Sequence, residues 1–185
     1  FMDNFYSELI HANNEGHTDS EEYVEETLYR FKSFVSRLNP KEVIKMMLST
    51  QNYMTRSTWR VDERHDVKVG DVCYIDYGQA YLNEAGYQHF GLIISRINGK
   101  VLTIPMTSNP TTYAEAFHPE TNPKGKRHLM PFGQRCGLHK PSVLFLNDAK
   151  FINPNRVINV IGHLDSQDED LMYIRKILAT CLFKD

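Results

Sequence analysis

Alternating apolar and polar positions predict a group of β-strands in the middle of the 185-residue chain. Asn98-Gly99 separates two apolar runs, 92–97 and 101–106. Both residues of an Asn-Gly pair tolerate the positive φ of a type I′ turn, so this pattern predicts a tight hairpin. Further strands are predicted over 71–77, 127–132 and 142–151.

The first sixty residues show the three- and four-residue spacing of amphipathic helices. A capping box is predicted at Thr18 and Glu21. The apolar stripe that follows consists of Val24, Leu28, Phe31, Val35 and Leu38. We expect this stripe to pack on the rest of the chain or on a second copy. Asn39 followed by Pro40 predicts the start of another helix.

A closing helix is predicted near the end of the sequence. Ser166 and Glu169 have the spacing of a capping box. The buried stripe after it is predicted to contain Leu171, Ile174, Leu178 and either Cys181 or Leu182. Several short strands followed by one helix favour a mainly β protein, curled into a small barrel, over a doubly wound sheet.

Composition shifts along the chain predict its domain organisation. Residues 1–60 are predicted to be a helical extension and residues 61–67 a linker, because the sequence from 51 to 65 is polar and unpatterned. Residues 68–185 then form the barrel domain. The segment 109–126, which contains three prolines and Gly125, is predicted to be a long loop.

The overall composition limits the classes of protein to consider. Hydrophobic residues make up 41% of the chain and charged residues 24%, which is typical of a globular protein. Neither a membrane-spanning apolar run nor an N-terminal signal pattern is apparent. The three scattered cysteines, Cys73, Cys136 and Cys181, are predicted to be reduced thiols. We therefore expect a cytoplasmic protein.

The net charge of −2 conceals a basic region. Between residues 96 and 140, seven lysines and arginines stand against Glu115 and Glu120. Such an asymmetry suits a local binding site for a polyanion, and a solvated surface explains it equally well.

The motif search excludes several kinds of site. The eight histidines show no zinc-ligand spacing, and no phosphate-binding glycine motif or nucleophile elbow is present. No metal or cofactor is therefore expected. The hairpin instead brings His89 close to Thr107 and Ser108 at its open end. Imidazole and hydroxyl groups can perform acid–base chemistry there, although a strand-edge histidine and a turn-capping threonine are the simpler alternative.

Collinear segments resemble the MazF/PemK/Kid family of toxin endoribonucleases over about residues 68–183. The matching segments are 70–76, 91–95, 105–108, 142–146 and 160–164. The resemblance implies a small SH3-like barrel with a C-terminal helix, preceded here by the N-terminal helical extension. It also implies a homodimer that cleaves single-stranded RNA without a metal and is neutralised by an antitoxin protein. The extension is not explained by the resemblance.

The family reaction is attack of the RNA 2′-hydroxyl on the neighbouring phosphate. By resemblance, the catalytic positions are His89 and Thr107, with Ser108 in support. Family members usually carry an arginine followed by proline at the first of these positions, where this chain has His89 and Phe90. Histidine titrates near neutrality whereas arginine is a permanent cation, so the positive charge would come from Lys140, Arg135 or Lys100.

RNA contacts are predicted in the loop 78–88 and in the basic region. Tyr81 offers a face for base stacking, Gln79 and Gln88 offer amides to base edges, and Arg135 and Lys140 offer phosphate contacts. Solubilising or packing roles are the alternative for each. The rival function is a non-catalytic SH3-like module that binds RNA or protein. It remains an alternative because His89 stands where the family usually has an arginine.

Overall fold

Seven strands and five helices occur in the part of the chain that the structure describes. The structure is a computed structural model and describes residues 3–16, 20–59 and 66–183. The helices are α1 (Asn4–Glu15), α2 (Glu21–Val35), α3 (Pro40–Arg56), α4 (Pro110–Ala114) and α5 (Glu169–Leu182). The strands are β1 (Asp71–Asp76), β2 (Gln88–Ile97), β3 (Lys100–Thr107), β4 (Leu129–Gly133), β5 (Ser142–Phe145), β6 (Lys150–Ile152) and β7 (Val157–His163). Within these ranges, no helix is long and apolar enough to cross a membrane.

The chain divides into two compact units between Ile44 and Lys45. The first contains α1, α2 and the start of α3. The second contains the remainder of α3, all seven strands, α4 and α5. The sequence predicted a barrel domain from residue 68 after a linker over 61–67. Of that linker, only Asp66 and Val67 lie within the described residues, and Val67 is buried.

In the first unit, the apolar stripe predicted for α2 is not buried. No residue of α2 is buried in the chain, and the side chains of Val24 and Leu28 are about half exposed. The predicted capping residue Thr18 lies outside the described residues. The helix begins after Ser20, whose side chain makes no capping hydrogen bond.

Helix α3 begins as predicted, at Pro40 after Asn39, and ends at Arg56. The side chain of Asn39 accepts hydrogen bonds from the backbone N–H groups of Lys41 and Glu42, at 3.1 Å each. The helix continues to Arg56, into the segment from residue 51 onward whose sequence is polar and unpatterned. Hydrogen bonds from Asn52 and Arg56 to the sheet stabilise this last part, and local apolar spacing does not reveal such contacts.

The strands form one antiparallel sheet in the order β4-β5-β3-β2-β1-β7. β6 also pairs with β3, so β5 and β6 lie along the same edge of β3, joined by the 3₁₀ turn Leu146–Asp148. No hydrogen-bonded pairing of β4 with β7 occurs among the described residues. The predicted fold class is confirmed as a barrel-like antiparallel sheet with a C-terminal helix and N-terminal helices.

The predicted hairpin joins β2 to β3. Asn98 and Gly99 have φ angles of 48° and 74°, as a type I′ turn requires. Ile97 pairs with Lys100, and pairing continues to Phe90 opposite Met106, with one register shift between Ile93 and Ser95. The open end of this hairpin carries the candidate site.

The two faces of the sheet contribute to different apolar clusters. One cluster joins Val72, Leu92 and Ile104 of the sheet to α5. The other contains Ile75 and Ile93 with residues of β3, β6 and β7.

The predicted loop 109–126 contains a short helix, α4, whose N-cap is Asn109. This helix has only five residues, too few to show helical periodicity in the sequence.

Helix α5 packs through the predicted stripe. Leu171, Ile174 and Leu178 are all buried. The capping prediction was wrong by two residues: the helix begins at Glu169, and Asp168 is its N-cap, with a carboxylate that accepts the N–H of Asp170 at 2.8 Å.

The three cysteines are free. Cys73 is fully buried, and burial raises the pKa of its thiol to about 12. The thiolate is the reactive form, so Cys73 is a core residue rather than a nucleophile.

Candidate active site

His89 and Thr107 lie opposite each other at the open end of the β2–β3 hairpin. Phe90 pairs with Met106, and His89 and Thr107 are the next residues outward on the two strands. Side chains of directly opposed residues in an antiparallel pair share one face of the sheet. The register therefore places both groups together, as the sequence predicted.

His89 is partly buried at the edge of the second apolar cluster, since its partner on β1 is Ile75. Burial lowers the pKa of His89 below its ordinary value of 6.5. A hydrogen bond with the backbone of Met106 opposes this shift, and the nearby charges of Lys45 and Lys150 reinforce it. The imidazole is consequently neutral at pH 7 and retains a nitrogen lone pair that can accept a proton.

Thr107 is the last residue of β3, and its hydroxyl is held by the turn that follows. Its Oγ1 accepts the backbone N–H of Asn109 at 3.2 Å. The carboxamide oxygen of Asn109 in turn accepts the N–H groups of Thr111 and Thr112 at the start of α4. Among the described residues the Thr107 O–H has no acceptor, so it can donate to a bound group. Ser108 is exposed beside it.

A buried tyrosine, Tyr77, packs over Gly91, two residues after His89 on β2. The hydroxyl of Tyr77 lies 3.0 Å from Oγ1 of Thr103. It also covers the backbone of Gly91, where an added Cβ would stand 2.2 Å from the tyrosine oxygen. Any larger residue at Gly91 would displace Tyr77, so this glycine allows the tyrosine to pack closely on β2.

The cations near His89 differ from those that the sequence suggested. Lys100 lies at the hairpin turn, at the far end of β3 from Thr107. The positive charges that act on the pKa of His89 belong to Lys45 of α3 and Lys150 of β6, and the carboxylate of Asp148 acts in the opposite direction. Neither lysine belongs to a recognisable sequence motif, so their proximity to His89 becomes apparent only in the folded structure.

Lys150 belongs to a small network beside β3. Its ammonium group lies 2.7 Å from Oδ1 of Asp148 and 5.6 Å from the centroid of the Tyr77 ring. The second carboxylate oxygen of Asp148 accepts the N–H of Ala85. The network therefore ties the loop 78–88 to the strand that carries Lys150.

The predicted phosphate contacts Arg135 and Lys140 have different surroundings. The guanidinium of Arg135 pairs with Asp170 on α5 and lies 4.4 Å from the centroid of the Phe132 ring. Arg135 therefore contributes to the packing of α5, and its charge is already paired with a carboxylate. Lys140 is exposed and has no ion pair among the described residues.

The loop predicted to contact RNA is exposed at its tip and fixed at its base. Tyr81 is 86% exposed, and Gln79 is also exposed. Gln88 is buried, and its amide donates to the Asp76 carboxylate at 3.2 Å and to the Lys45 carbonyl at 3.3 Å. Its predicted contact with a base is corrected to a structural role, because its amide nitrogen already serves two protein acceptors.

The basic region is partly neutralised by ion pairs. Arg96 lies 3.5 Å from Asp66, and Lys126 lies 2.7 Å from Glu115. Arg127 lies over the ring of Phe117. Within the described ranges, no three His, Cys, Asp or Glu side chains are placed to hold a metal ion.

No family model and no curated protein sequence matches the chain. Solved MazF structures align with it. The MazF of Deinococcus radiodurans aligns at 14% identity and a TM-score of 0.47, covering 64% of this chain and 98% of that one. Toxin MazF-mt6 of Mycobacterium tuberculosis aligns at 15% and 0.42, covering 62% and 98%. A MazE-MazF structure from Deinococcus radiodurans aligns at 14% and 0.44, covering 66% and 100%. These aligned structures are MazF toxins, the family that the sequence motifs of this chain resemble.

Proposed function

We propose that the chain is a metal-independent endoribonuclease that cleaves single-stranded RNA by attack of the 2′-hydroxyl. One observation carries this proposal: the strand register places the imidazole of His89 beside the hydroxyl of Thr107 at the open end of the hairpin, where burial lowers the pKa of His89. A neutral imidazole can remove a proton from an alcohol, and general base catalysis contributes about 10²- to 10⁴-fold to a rate.

In the proposed reaction, His89 takes the proton of the 2′-hydroxyl while the 2′-oxygen forms a bond to the adjacent phosphorus. The bond from phosphorus to the 5′-oxygen breaks, and the 5′-oxygen takes a proton from solvent or from the imidazolium. The products are a 2′,3′-cyclic phosphate and a free 5′-hydroxyl. The Thr107 O–H donates to a phosphate oxygen, and the positive charge of Lys45 stabilises the phosphorane, because the charge of Lys150 is already paired with Asp148.

The biological setting follows from the family resemblance. As a toxin of a toxin–antitoxin system, the chain would act as a homodimer and would be neutralised by an antitoxin protein. Single-stranded RNA would be its substrate. The exposed residues Gln79, Tyr81 and Lys140 are the proposed RNA contacts, with Ser108 beside the catalytic pair.

Incubation with a long single-stranded RNA in EDTA tests the proposal. We expect cleavage to continue at full rate in the chelator, because the proposed groups are all side chains. The fragments should carry 2′,3′-cyclic phosphates and 5′-hydroxyls, identified by end-specific enzymatic labelling. RNA that shifts in a gel and stays intact would instead support the non-catalytic binding module. Cleavage that stops in EDTA and returns with Mg²⁺ would contradict the metal-independent mechanism.

The pH dependence of cleavage should report the titration of His89. Because burial lowers the pKa of this group, we expect the rate to rise with pH through a midpoint below 6.5 and to level off above it. Protonation also costs folding free energy at such a site, so stability should fall as the pH drops through that midpoint. Single-turnover rates from pH 4.5 to 8 measure the profile, with urea unfolding as the parallel control. A midpoint above 7 would contradict the assignment of His89 as the base.

A further inference from the structure

A cavity of about 600 Å³ lies where the C-terminal part of α3 meets the end of β1 and the 3₁₀ turn before β7. Small-molecule sites in proteins span roughly 300–1,000 Å³, so a ligand of moderate size fits. The residues around this cavity all belong to the second unit of the chain. Helix α3 has no counterpart in the family resemblance, which begins near residue 68.

Two arginines give the cavity a positive charge. Arg56 donates one N–H to the carbonyl of Val157 at 2.9 Å, and Arg156 donates one N–H to the carbonyl of Asp76 at 3.3 Å. Neither guanidinium pairs with a carboxylate among the described residues. Each guanidinium has five N–H groups, so most of these donors remain for a ligand, and their planar arrangement suits a phosphate.

The carboxylate in the cavity is already satisfied by the protein. Asp76 accepts hydrogen bonds from Asn52 at 3.1 Å, from Gln88 at 3.2 Å and from the backbone N–H of Gly78 at 3.2 Å. Gly78 has a φ of 82°, and an added Cβ would stand 2.9 Å from Nη1 of Arg156. A glycine here therefore gives the arginine room beside the backbone.

Uncharged groups at the cavity suit a nucleobase. The amide of Gln79 is exposed and makes no hydrogen bond with the described protein. Tyr53 also lines the cavity, and its side chain is 70% exposed. Amides recognise base edges and aromatic rings stack on base faces, so these groups complement the phosphate chemistry of the arginines.

We propose that this cavity binds a nucleoside 5′-phosphate unit, with the phosphate on Arg56 and Arg156 and the base near Tyr53 and Gln79. The unit belongs either to a bound RNA strand or to a free mononucleotide. In the first case the proposal rests on the endoribonuclease function and adds a specificity site to it. Asp76 lines the cavity and accepts a hydrogen bond from Gln88, the residue before His89, so the cavity borders the catalytic strand.

Trp59 provides a built-in probe for the test. It is the only tryptophan in the chain, and the Arg56 guanidinium carbon lies 5.2 Å from its ring centroid. The cleavage-disabled variant His89→Ala is titrated in EDTA with each of the four nucleoside 5′-monophosphates, with adenosine, and with a short oligoribonucleotide. Tryptophan fluorescence and calorimetry follow binding.

We expect saturable binding, and adenosine should bind far more weakly than its 5′-phosphate. In the His89→Ala background, Arg156→Gln should weaken binding by about 10- to 100-fold, since hydrogen bonds to charged groups contribute roughly 1.5–3 kcal/mol. Arg127→Gln is the matched control, because it makes the same charge change on an exposed arginine outside the cavity. The variant with Arg127→Gln should bind the nucleotides with the same affinity as the His89→Ala chain.

The two sources of the ligand give different results. Binding of mononucleotides that is sensitive to Arg156→Gln identifies a free nucleotide site, whereas sensitivity seen only with the oligoribonucleotide identifies the RNA strand. The proposal is overturned if neither ligand binds, or if Arg156→Gln and Gln79→Ala both leave the affinities unchanged. These affinities do not depend on cleavage, so an absence of RNA cleavage by the parent chain contradicts the proposed function alone.

Discussion

Replacing His89 by alanine is expected to reduce the rate of RNA cleavage by about 10²- to 10⁴-fold, the range that general base catalysis contributes. The alanine cannot accept the proton of the 2′-hydroxyl, and no other neutral imidazole is placed opposite Thr107 in the described structure. The residual rate should also lose its dependence on pH below 6.5. Single-turnover cleavage of a defined RNA in EDTA measures both effects.

Two further variants test whether the loss of cleavage is specific to the proposed catalytic groups. His139→Ala removes an exposed histidine that lies outside β2 and β3, and it should cleave RNA at the parental rate. Thr107→Val removes a hydroxyl while keeping the side-chain shape, and it should lose about 10²- to 10³-fold if that hydroxyl donates to the reacting phosphate. A His89→Ala chain that remains folded and cleaves within threefold of the parent would disprove the proposed catalytic role.

Replacing Leu171 by alanine is expected to lower the free energy of unfolding by about 2–5 kcal/mol. Leu171 is fully buried and belongs to the cluster that joins α5 to the sheet. Its truncation removes apolar contacts and leaves a cavity that the surrounding β-structure cannot readily fill. Urea denaturation at constant temperature measures the change through the midpoint and the slope.

The neighbouring residue supplies the control for this second prediction. Met172 lies one position further along α5 and is 57% exposed, so Met172→Ala should change the stability by no more than about 0.5 kcal/mol. Equal effects of the two substitutions would mean that α5 does not pack through the face described above. It would also contradict the amphipathic pattern from which the closing helix was predicted.

Local sequence rules were sufficient where local physics determines the structure. The Asn98-Gly99 turn follows from the conformational freedom of its two residues, and the start of α3 follows from the side chain of Asn39. The proximity of His89 to Thr107 could be predicted as well, because a two-residue hairpin turn fixes the register of both strands.

Contacts between distant segments could not be predicted in the same way. The continuation of α3 to Arg56 depends on hydrogen bonds to β1 and β7, and the burial of Gln88 depends on α3 itself. Lys45 and Lys150 are separated from His89 by 44 and 61 positions in the sequence, and neither belongs to a motif. Their charges reach His89 only because the sheet and α3 bring these segments together.

The way α3 joins the sheet limits where the chain can be cut. Asn52 donates to Asp76, Arg56 donates to the carbonyl of Val157, and Gln88 donates to the carbonyl of Lys45. A fragment beginning at residue 68 would leave the Asp76 carboxylate and the Gln88 amide without these partners and would uncover the β1 surface beneath them. We therefore expect a stably folded fragment of this protein to begin within α3, near Lys45, rather than at residue 68.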